Sequence, residues 1–305
     1  MKYLITGGTG FIGSNIARKL INNGENVFLL VRKGYKDWRI KDIKEKLVIY
    51  RADILDRKKL VTTLRKIKPD AVFHLATYGA YSRQNDEKKI LQANIFGTKN
   101  IVDACLDLNL KFFVNTGSSS EYGFKNKRTK ETDFLEPNSC YAVSKAAGTQ
   151  YCSYAAKRYN APIMTFRLYS VYGPYEEPSR LIPTLIRSAL KGHKVKLVSP
   201  TIARDFIYID DLIDAYLCLK NKKINYGEIF NIGSGVQSTL HDVVDIVEKI
   251  TGKKIMVEWN AMSPRLWDTN IWVSDITKAK EILHWRPKHD LSKGILKFTK
   301  WLKDI

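Results

Sequence analysis

A phenol and an ammonium stand four residues apart in Tyr141-Ala142-Val143-Ser144-Lys145, and on a helix that spacing puts them on one face. A cation held there stabilises the phenolate and lowers the tyrosine pKa from its reference of about 10, making the phenol a usable acid or base near neutrality. The spacing alone proves little, because Tyr216 and Lys220 repeat it, and an ordinary amphipathic helix accounts for that second pair. What separates the first pair lies upstream. The apolar run Phe112 to Val114 reads as a strand and enters Thr116-Gly117-Ser118-Ser119-Ser120-Glu121-Tyr122-Gly123. Ser118 therefore stands at the C-terminal end of a strand, the edge at which parallel sheets bind ligands. A hydroxyl there can donate to the same substrate oxygen that Tyr141 protonates; without the other motifs it would read as a serine-rich turn.

A second group of residues offers no acid or base but a place for phosphate. Thr6-Gly7-Gly8-Thr9-Gly10-Phe11-Ile12-Gly13 joins an opening strand to a helix. Gly7, Gly10 and Gly13 permit a tight turn, close approach of backbone to a pyrophosphate and close helix packing, with the phosphate at the helix N-terminus. A phosphate-gripping P-loop would need Lys-Ser/Thr where this chain has Ser14-Asn15, so dinucleotide binding is the reading. At the end of the second strand, where an acid would accept from the ribose of NAD, the chain has Val31 followed by Arg32 and Lys33. NADP(H) is thereby favoured over NAD(H), with the start of a solvated loop as the plainer meaning of the two cations. Asp53 and Ile54, after the third strand, are expected near the adenine.

These residues need a scaffold, and the chain alternates strand-like runs with helical patterns: Tyr3 to Ile5, Ile12/Ile16/Leu20, Val27 to Val31, Ala71 to Leu75, Phe112 to Val114. The first helix stops at Asn23-Gly24. The alternation predicts an α/β fold, a doubly wound parallel (Rossmann) sheet with a smaller C-terminal substrate lobe. From about Pro174 the rhythm breaks at Pro178, Pro183 and Pro200, and helical stretches return near Leu212–Leu219 and His241–Ile250, with an amphipathic helix over Leu291–Ile305. The expected division gives residues 1–172, plus roughly 203–234, to a dinucleotide-binding domain, and 173–202 with 235–305 to the substrate lobe.

Composition excludes other classes. Net charge is +20, from 51 Lys and Arg against 31 Asp and Glu, but the basic residues are scattered and their longest run is Arg57-Lys58-Lys59. That pattern lacks the clustered, aromatic-interleaved cations of a nucleic-acid binder, so no nucleic acid is expected. The four cysteines form no C-x-x-C pair and the histidines have no metal-site spacing, so no metal is expected. Apolar runs such as Val27–Val31 fall far short of the ~20 residues of a membrane span. With no signal-peptide pattern, a cytoplasmic protein off the membrane is the expectation.

Taken together, Thr6 to Gly13, Asp53, His74-Leu75-Ala76, Asn94-x-x-Gly97-Thr98, Ser118, Tyr141-x-x-x-Lys145, Arg167 to Gly173, Arg204 to Asp211 and Arg265 resemble the extended short-chain dehydrogenase/reductase family of nucleotide-sugar epimerases, dehydratases and 4-ketoreductases, from about Lys2 to Pro287. The resemblance implies Ser118, Tyr141 and Lys145 as the catalytic set, with Lys145 also on the nicotinamide ribose. It implies Gly7, Gly10, Phe11, Ile12, Gly13, Leu75, Ala76, Thr77, Asn94 and Tyr169 around the cofactor. Ser118, Ser119, Ser120 and Ser170 would meet the sugar, and Arg204 and Arg265 the diphosphate of a nucleotide-diphosphate sugar. A homodimer is implied as well.

Dehydratases of this family carry Asp-Glu directly after the serine position, where this chain has Ser119 and Ser120. Glu121 would restore a dehydratase only across a one-residue gap. Between the remaining activities, Val31, Ser170 where epimerases often have Asn, and Tyr78 to Arg83, similar to reductases of the CDP-paratose synthase type, favour NADPH-dependent reduction of a 4-keto-6-deoxyhexose. An NAD-dependent 4-epimerase of the UDP-glucose/galactose type is the alternative. Outside enzymes, a cofactor-binding sensor or interaction protein is the other reading.

Overall fold

A computed structural model describes residues 1–222, 224–265 and 267–304. The strands are β1 (Lys2–Thr6), β2 (Asn26–Val31), β3 (Val48–Arg51), β4 (Ala71–His74), β5 (Phe112–Ser118), β6 (Ile163–Leu168), β7 (Ser170–Tyr172), β8 (Val195–Lys196), β9 (Ala203–Tyr208), β10 (Ile229–Ile232), β11 (Gln237–Thr239) and β12 (Val257–Glu258). The helices are α1 (Phe11–Asn22), α2 (Arg57–Ile67), α3 (Glu87–Leu91), α4 (Gly97–Cys105), α5 (Cys140–Tyr159), α6 (Leu181–Lys191), α7 (Ile209–Leu217), α8 (Leu240–Thr251), α9 (Thr277–Ile282) and α10 (Leu291–Lys303). Seven strands form one sheet in the order β3-β2-β1-β4-β5-β6-β10, the order of a doubly wound dinucleotide fold. The β1–β2, β1–β4, β2–β3 and β4–β5 ladders are parallel.

Two compact units divide the chain: residues 1–123, 135–167 and 216–230 make the first, and 124–134, 168–215 and 231–305 the second. The expected boundaries differ over 124–134, 168–172, 203–215 and 231–234, which belong to the second unit, and for 203–215 the reason is pairing. β9 joins β7 and β11 in a separate three-stranded sheet, so its hydrogen bonds lie in the second unit. Pro183, expected to mark irregular chain, sits in the first turn of α6, where a missing N–H costs nothing. The helix expected over Leu291–Ile305 runs to Lys303, and Ile305 lies outside the described residues. No helix among the described residues is long and apolar enough to cross a membrane.

In the first unit the strands are apolar without alternation, as a sheet covered on both faces requires. On one face Leu4, Leu30, Val72 and Phe113 pack against Leu60 and Leu64 of α2, Ile101 and Val102 of α4, and Cys152 and Ala156 of α5. The other carries an aromatic ladder, Tyr3, Phe73, Phe112, Tyr216, Phe166 and Phe230, with ring centroids 5.1–6.4 Å apart. A π-turn over Gln92–Phe96 interrupts the helix between α3 and α4 and presents Asn94 inward.

His74, at the end of β4, is buried with its two ring nitrogens on the hydroxyls of Thr6 (2.7 Å) and Thr98 (3.0 Å). Burial, reinforced by the charge of Lys145, lowers its pKa from 6.5 to about 3. The folded protein thus holds this ring neutral where the unfolded chain would protonate it. Stability is fully present above pH 6.5 and is lost as pH falls toward the folded value. Denaturant unfolding at about pH 8 and about pH 5 is expected to show a loss of about 2 kcal/mol that His74→Gln, though less stable throughout, does not show.

Candidate active site

Ser139 caps α5, its hydroxyl accepting from the Ala142 amide at 3.1 Å, and this fixes where the helix begins. Tyr141 falls in the first turn and Lys145 one turn later. The Ser144 hydroxyl donates to the Tyr141 carbonyl (2.7 Å) and accepts from Asn94 Nδ2 (2.9 Å). Asn94 Oδ1 accepts from the Thr77 hydroxyl (3.0 Å) and the Tyr78 amide (2.9 Å), and Nδ2 also donates to the Tyr78 carbonyl (2.8 Å). Its side chain thus ties the loop after β4 to α5, and its hydrogen-bonding capacity is spent on protein groups. Beside that loop a Cβ on Gly79 would lie 3.1 Å from the Tyr141 ring, so glycine lets the chain pass close to the phenol.

Lys145 is buried, and Nζ donates to the Thr116 carbonyl of β5. Burial lowers its pKa, while the negative charge of Glu121 opposes that shift. Ser118 closes the same strand, with its hydroxyl 2.7 Å from that of Ser120 and accepting from the Ser120 amide at 3.2 Å. Ser119 is buried. Glu121, weighed as a dehydratase acid, is fully buried: Oε2 accepts from Arg167 Nε (2.7 Å), and Oε1 from the Ser118 amide (2.8 Å) and the Thr149 hydroxyl (3.0 Å). An anion so engaged does not exchange protons with a substrate. The second Tyr/Lys pair belongs to the framework. Tyr216 is buried between Phe73 and Phe166 with its hydroxyl 2.7 Å from that of Thr116, and Lys220 pairs with Glu25 at 2.6 Å.

The glycine loop fits a dinucleotide. Gly7, at φ +70°, lies so near the loop after β4 that a Cβ would be 2.7 Å from the Ala76 amide nitrogen, and a Cβ on Gly13 would be 2.5 Å from the Gly7 carbonyl. Gly10 stands at the N-cap of α1 with no side-chain cap, and the first turn, starting at Phe11 and Ile12, has no acid. Its amides and the positive helix end therefore face the loop as phosphate donors. The Leu75 and Ala76 amides bond to the Thr6 carbonyl (3.1 Å) and hydroxyl (3.2 Å). Val31 is buried at the end of β2, whereas Arg32 and Lys33 are exposed and form no ion pair among the described residues. Asp53 is exposed and accepts from the Leu55 amide (2.9 Å), and Ile54 packs over Gly97.

In the second unit, taken by itself, Arg204 pairs with Asp268 (2.8 Å) and lies over the Trp272 ring at 5.4 Å. The Arg265 amide donates to the other oxygen of Asp268 (2.9 Å), and its guanidinium lies over Trp267. Burial lowers the pKa of Arg204 against the pull of Asp268, and the charges of Arg265 and Arg180 lower it further. Three guanidiniums thus share a field, with Asp268 paired to Arg204 and Glu176 to Arg180 (3.6 Å). Arg180 escaped the sequence reading, since a lone arginine after Pro178 carries no signal. Arg204 takes Asp268 as its ion-pair partner and not the adjacent Asp205. Asp205 is buried and accepts from the amides of Ser234, Gly235 and Ser274 and from two serine hydroxyls. Asp211 likewise accepts from the amides of Lys288 and His289. Ser170 lies in β7, and Tyr169 is buried with its hydroxyl on that of Thr129.

Gly117 is a further residue that no local pattern singles out. A Cβ there would lie 2.7 Å from Glu121 Oε1 and 2.9 Å from Thr165 Cγ2. Gly117→Ala is therefore expected to cost about 1–3 kcal/mol of stability, read as a lower denaturation midpoint.

Comparison with known proteins agrees with this geometry. Residues 3–233 match the family described as NAD dependent epimerase/dehydratase. A UDP-glucuronate 4-epimerase of Thermodesulfobacterium geofontis is 30% identical, over 99% of this chain and 96% of that protein. The structure of a Thermotoga maritima UDP-glucose 4-epimerase with UDP-glucose has a TM-score of 0.91 at 27% identity, covering 100% of this chain and 99% of that one. A Bacillus cereus UDP-glucuronic acid 4-epimerase, in complex with UDP-glucuronic acid and NAD, has a TM-score of 0.88 at 30% identity, with 100% and 99% covered. With residues 3–233 matching it and a seven-stranded sheet of the dinucleotide-binding order beneath, the chain belongs to the NAD dependent epimerase/dehydratase family of extended short-chain dehydrogenases.

Proposed function

We propose that this protein interconverts C4 epimers of a UDP-linked hexose or hexuronate, using NAD that stays bound and leaves the reaction unchanged. The serine turn carries the reading: its one carboxylate, Glu121, is buried against Arg167, so Ser118, Tyr141 and Lys145 can move a proton at C4 while no free acid stands ready for water loss. The 4-epimerases named above support it, and the 4-ketoreductase expected from Val31 gives way to the epimerase alternative.

The backbone of Gly7, Gly10, Phe11, Ile12 and Gly13 would hold the pyrophosphate, Asp53 and Ile54 the adenosine end, and Leu75, Ala76 and Thr77 the wall beside it, with Lys145 on the nicotinamide ribose. When bound, the nucleotide supplies a reversible two-electron acceptor. Tyr141, as phenolate beside the Lys145 cation, takes the C4 hydroxyl proton, and Ser118 donates to the same oxygen. Tyr141 would return that proton to the C4 oxygen, while the inversion itself would come from the C4 hydride, taken up from one face of the sugar and given back to the opposite face. Arg204 and Arg265 would pair the diphosphate through their planar forks, and Ser170 would meet the hexose.

A second reading rests on one observation: Arg32 and Lys33 are exposed cations at the end of β2, suited to a 2'-phosphate. It makes the protein an NADPH-consuming reductase of a nucleotide-linked 4-keto-6-deoxyhexose. The deciding experiment incubates the purified protein with UDP-glucose or UDP-glucuronate, without added cofactor, and follows the C4 epimers by proton NMR. Interconversion without net change in nicotinamide absorbance is expected, with Tyr141→Phe slower by about 10²–10⁴-fold yet still holding its nucleotide. Stoichiometric oxidation of NADPH by a 4-keto sugar, with no epimer formed, would establish the reductase instead.

A further inference from the structure

The proton-transfer scheme gives Glu121 nothing to do, yet its carboxylate is fully buried, where desolvation penalises its charge. Its partners explain where it acts. Oε1 takes the backbone amide of Ser118 (2.8 Å) and the hydroxyl of Thr149 (3.0 Å), which lies one turn beyond Lys145 on α5. Oε2 takes Arg167 Nε (2.7 Å). Arg167 is itself held, with Nη1 donating to the Tyr122 hydroxyl (2.9 Å) and the guanidinium over the Tyr122 ring. One carboxylate therefore touches the turn that carries Ser118, the helix that carries Tyr141 and Lys145, and strand β6.

We propose that Glu121 is a positioning residue for Ser118, Tyr141 and Lys145, a buried anionic clamp that locks the serine turn to α5 and offsets the lysine's charge. This rests on the reading of those three residues as the proton-moving set. An amide in its place would satisfy the Ser118 and Thr149 donors but leave Lys145 and Arg167 as buried cations without an anion. The titratable groups that interact with Lys145 are His74 from β4, Glu121 from the turn and Cys152 from α5 itself, with Arg167 of β6 and Tyr122 reaching it only through Glu121. His74 is neutral, and burial holds the Cys152 thiol protonated. Burial raises the Glu121 pKa, whereas Arg167, the Ser118 amide and Lys145 lower it. The 2.7 Å ion pair with Arg167 keeps Glu121 as the anion of this group, and its charge raises the proton affinity of Lys145 that burial depresses.

The test uses the full chain with its bound nucleotide. Thr149→Val removes one donor and no charge; Glu121→Gln removes the charge and keeps the shape; Glu121→Val with Arg167→Met removes the ion pair whole, a replacement that buried pairs often tolerate. Thermal melting reports folding, and C4 interconversion reports turnover. The ultraviolet difference between each protein and its Tyr141→Phe counterpart reports Tyr141 ionisation without substrate. Thr149→Val is expected to lower kcat about fivefold and the double variant about 100-fold, each with KM within about threefold of wild type. In Glu121→Gln, loss of the anion favours phenolate and disfavours ammonium, so Tyr141 ionisation and the basic limb of kcat both move down by about one pH unit. A folded double variant with kcat within about twofold of wild type, or a folded Glu121→Gln with an unmoved Tyr141, overturns the proposal. Should neither Glu121 variant fold, Thr149→Val decides, and unchanged kcat overturns it. If the wild type interconverts no sugar, the epimerase reading fails, while an unshifted or shifted Tyr141 ionisation still rejects or supports the clamp.

Discussion

Charge enters the first unit's interior only with compensation, and at the end of β5 one carboxylate, Glu121, serves two cations, Lys145 and Arg167. A lysine kept away from water exerts a stronger field on a neighbouring phenol than a solvated one, because less of that field is screened. The same dryness makes an uncompensated cation costly, so the surroundings are shaped by the need for an anion. Gly117 is bare to leave room for the carboxylate, Thr149 and the Ser118 amide complete its hydrogen bonds, and the Tyr122 ring covers the guanidinium. Tyr216, deep in the aromatic ladder, holds the Thr116 side chain while the Thr116 carbonyl receives the lysine.

Neutral polar groups do the corresponding work further along the strand ends. His74 bridges β1 to α4 through two threonine hydroxyls, and Asn94 bridges the loop after β4 to α5. Both are buried at positions where an unpaired polar group would be costly, so each specifies one arrangement of the loops it joins. The π-turn matters here because it brings Asn94 inward from an otherwise continuous helix.

Much of this fold is legible in the chain because its signals are local. The glycine loop, the apolar runs of β1, β2, β4 and β5, and the Asn23-Gly24 stop depend on neighbours within a few residues. The four-residue spacing of Tyr141 and Lys145 on α5 was readable for the same reason. Burial and pairing across the sequence were not. Glu121 looks like any acid in a serine-rich turn until Arg167, from a strand 46 residues on, is placed against it. Tyr216 and Lys220 have the same spacing as the site pair, but the tyrosine faces an aromatic core and the lysine faces Glu25. The boundary over 203–215 was misjudged because β9 finds its partners in β7 and β11, a choice set by tertiary pairing and not by composition.

The two compact units are woven from alternating stretches of chain, three segments each. No single cut releases either as a continuous fragment, so neither can be obtained as a simple truncation. During synthesis, the first unit cannot close its sheet until β10 has emerged, well after α5 and the serine turn have been made. Contacts separated by so many residues carry a large loop-closure cost, which slows folding and leaves sheet edges exposed meanwhile. The order in which the chain is made therefore delays completion of the sheet until Ile229–Ile232 have left the ribosome.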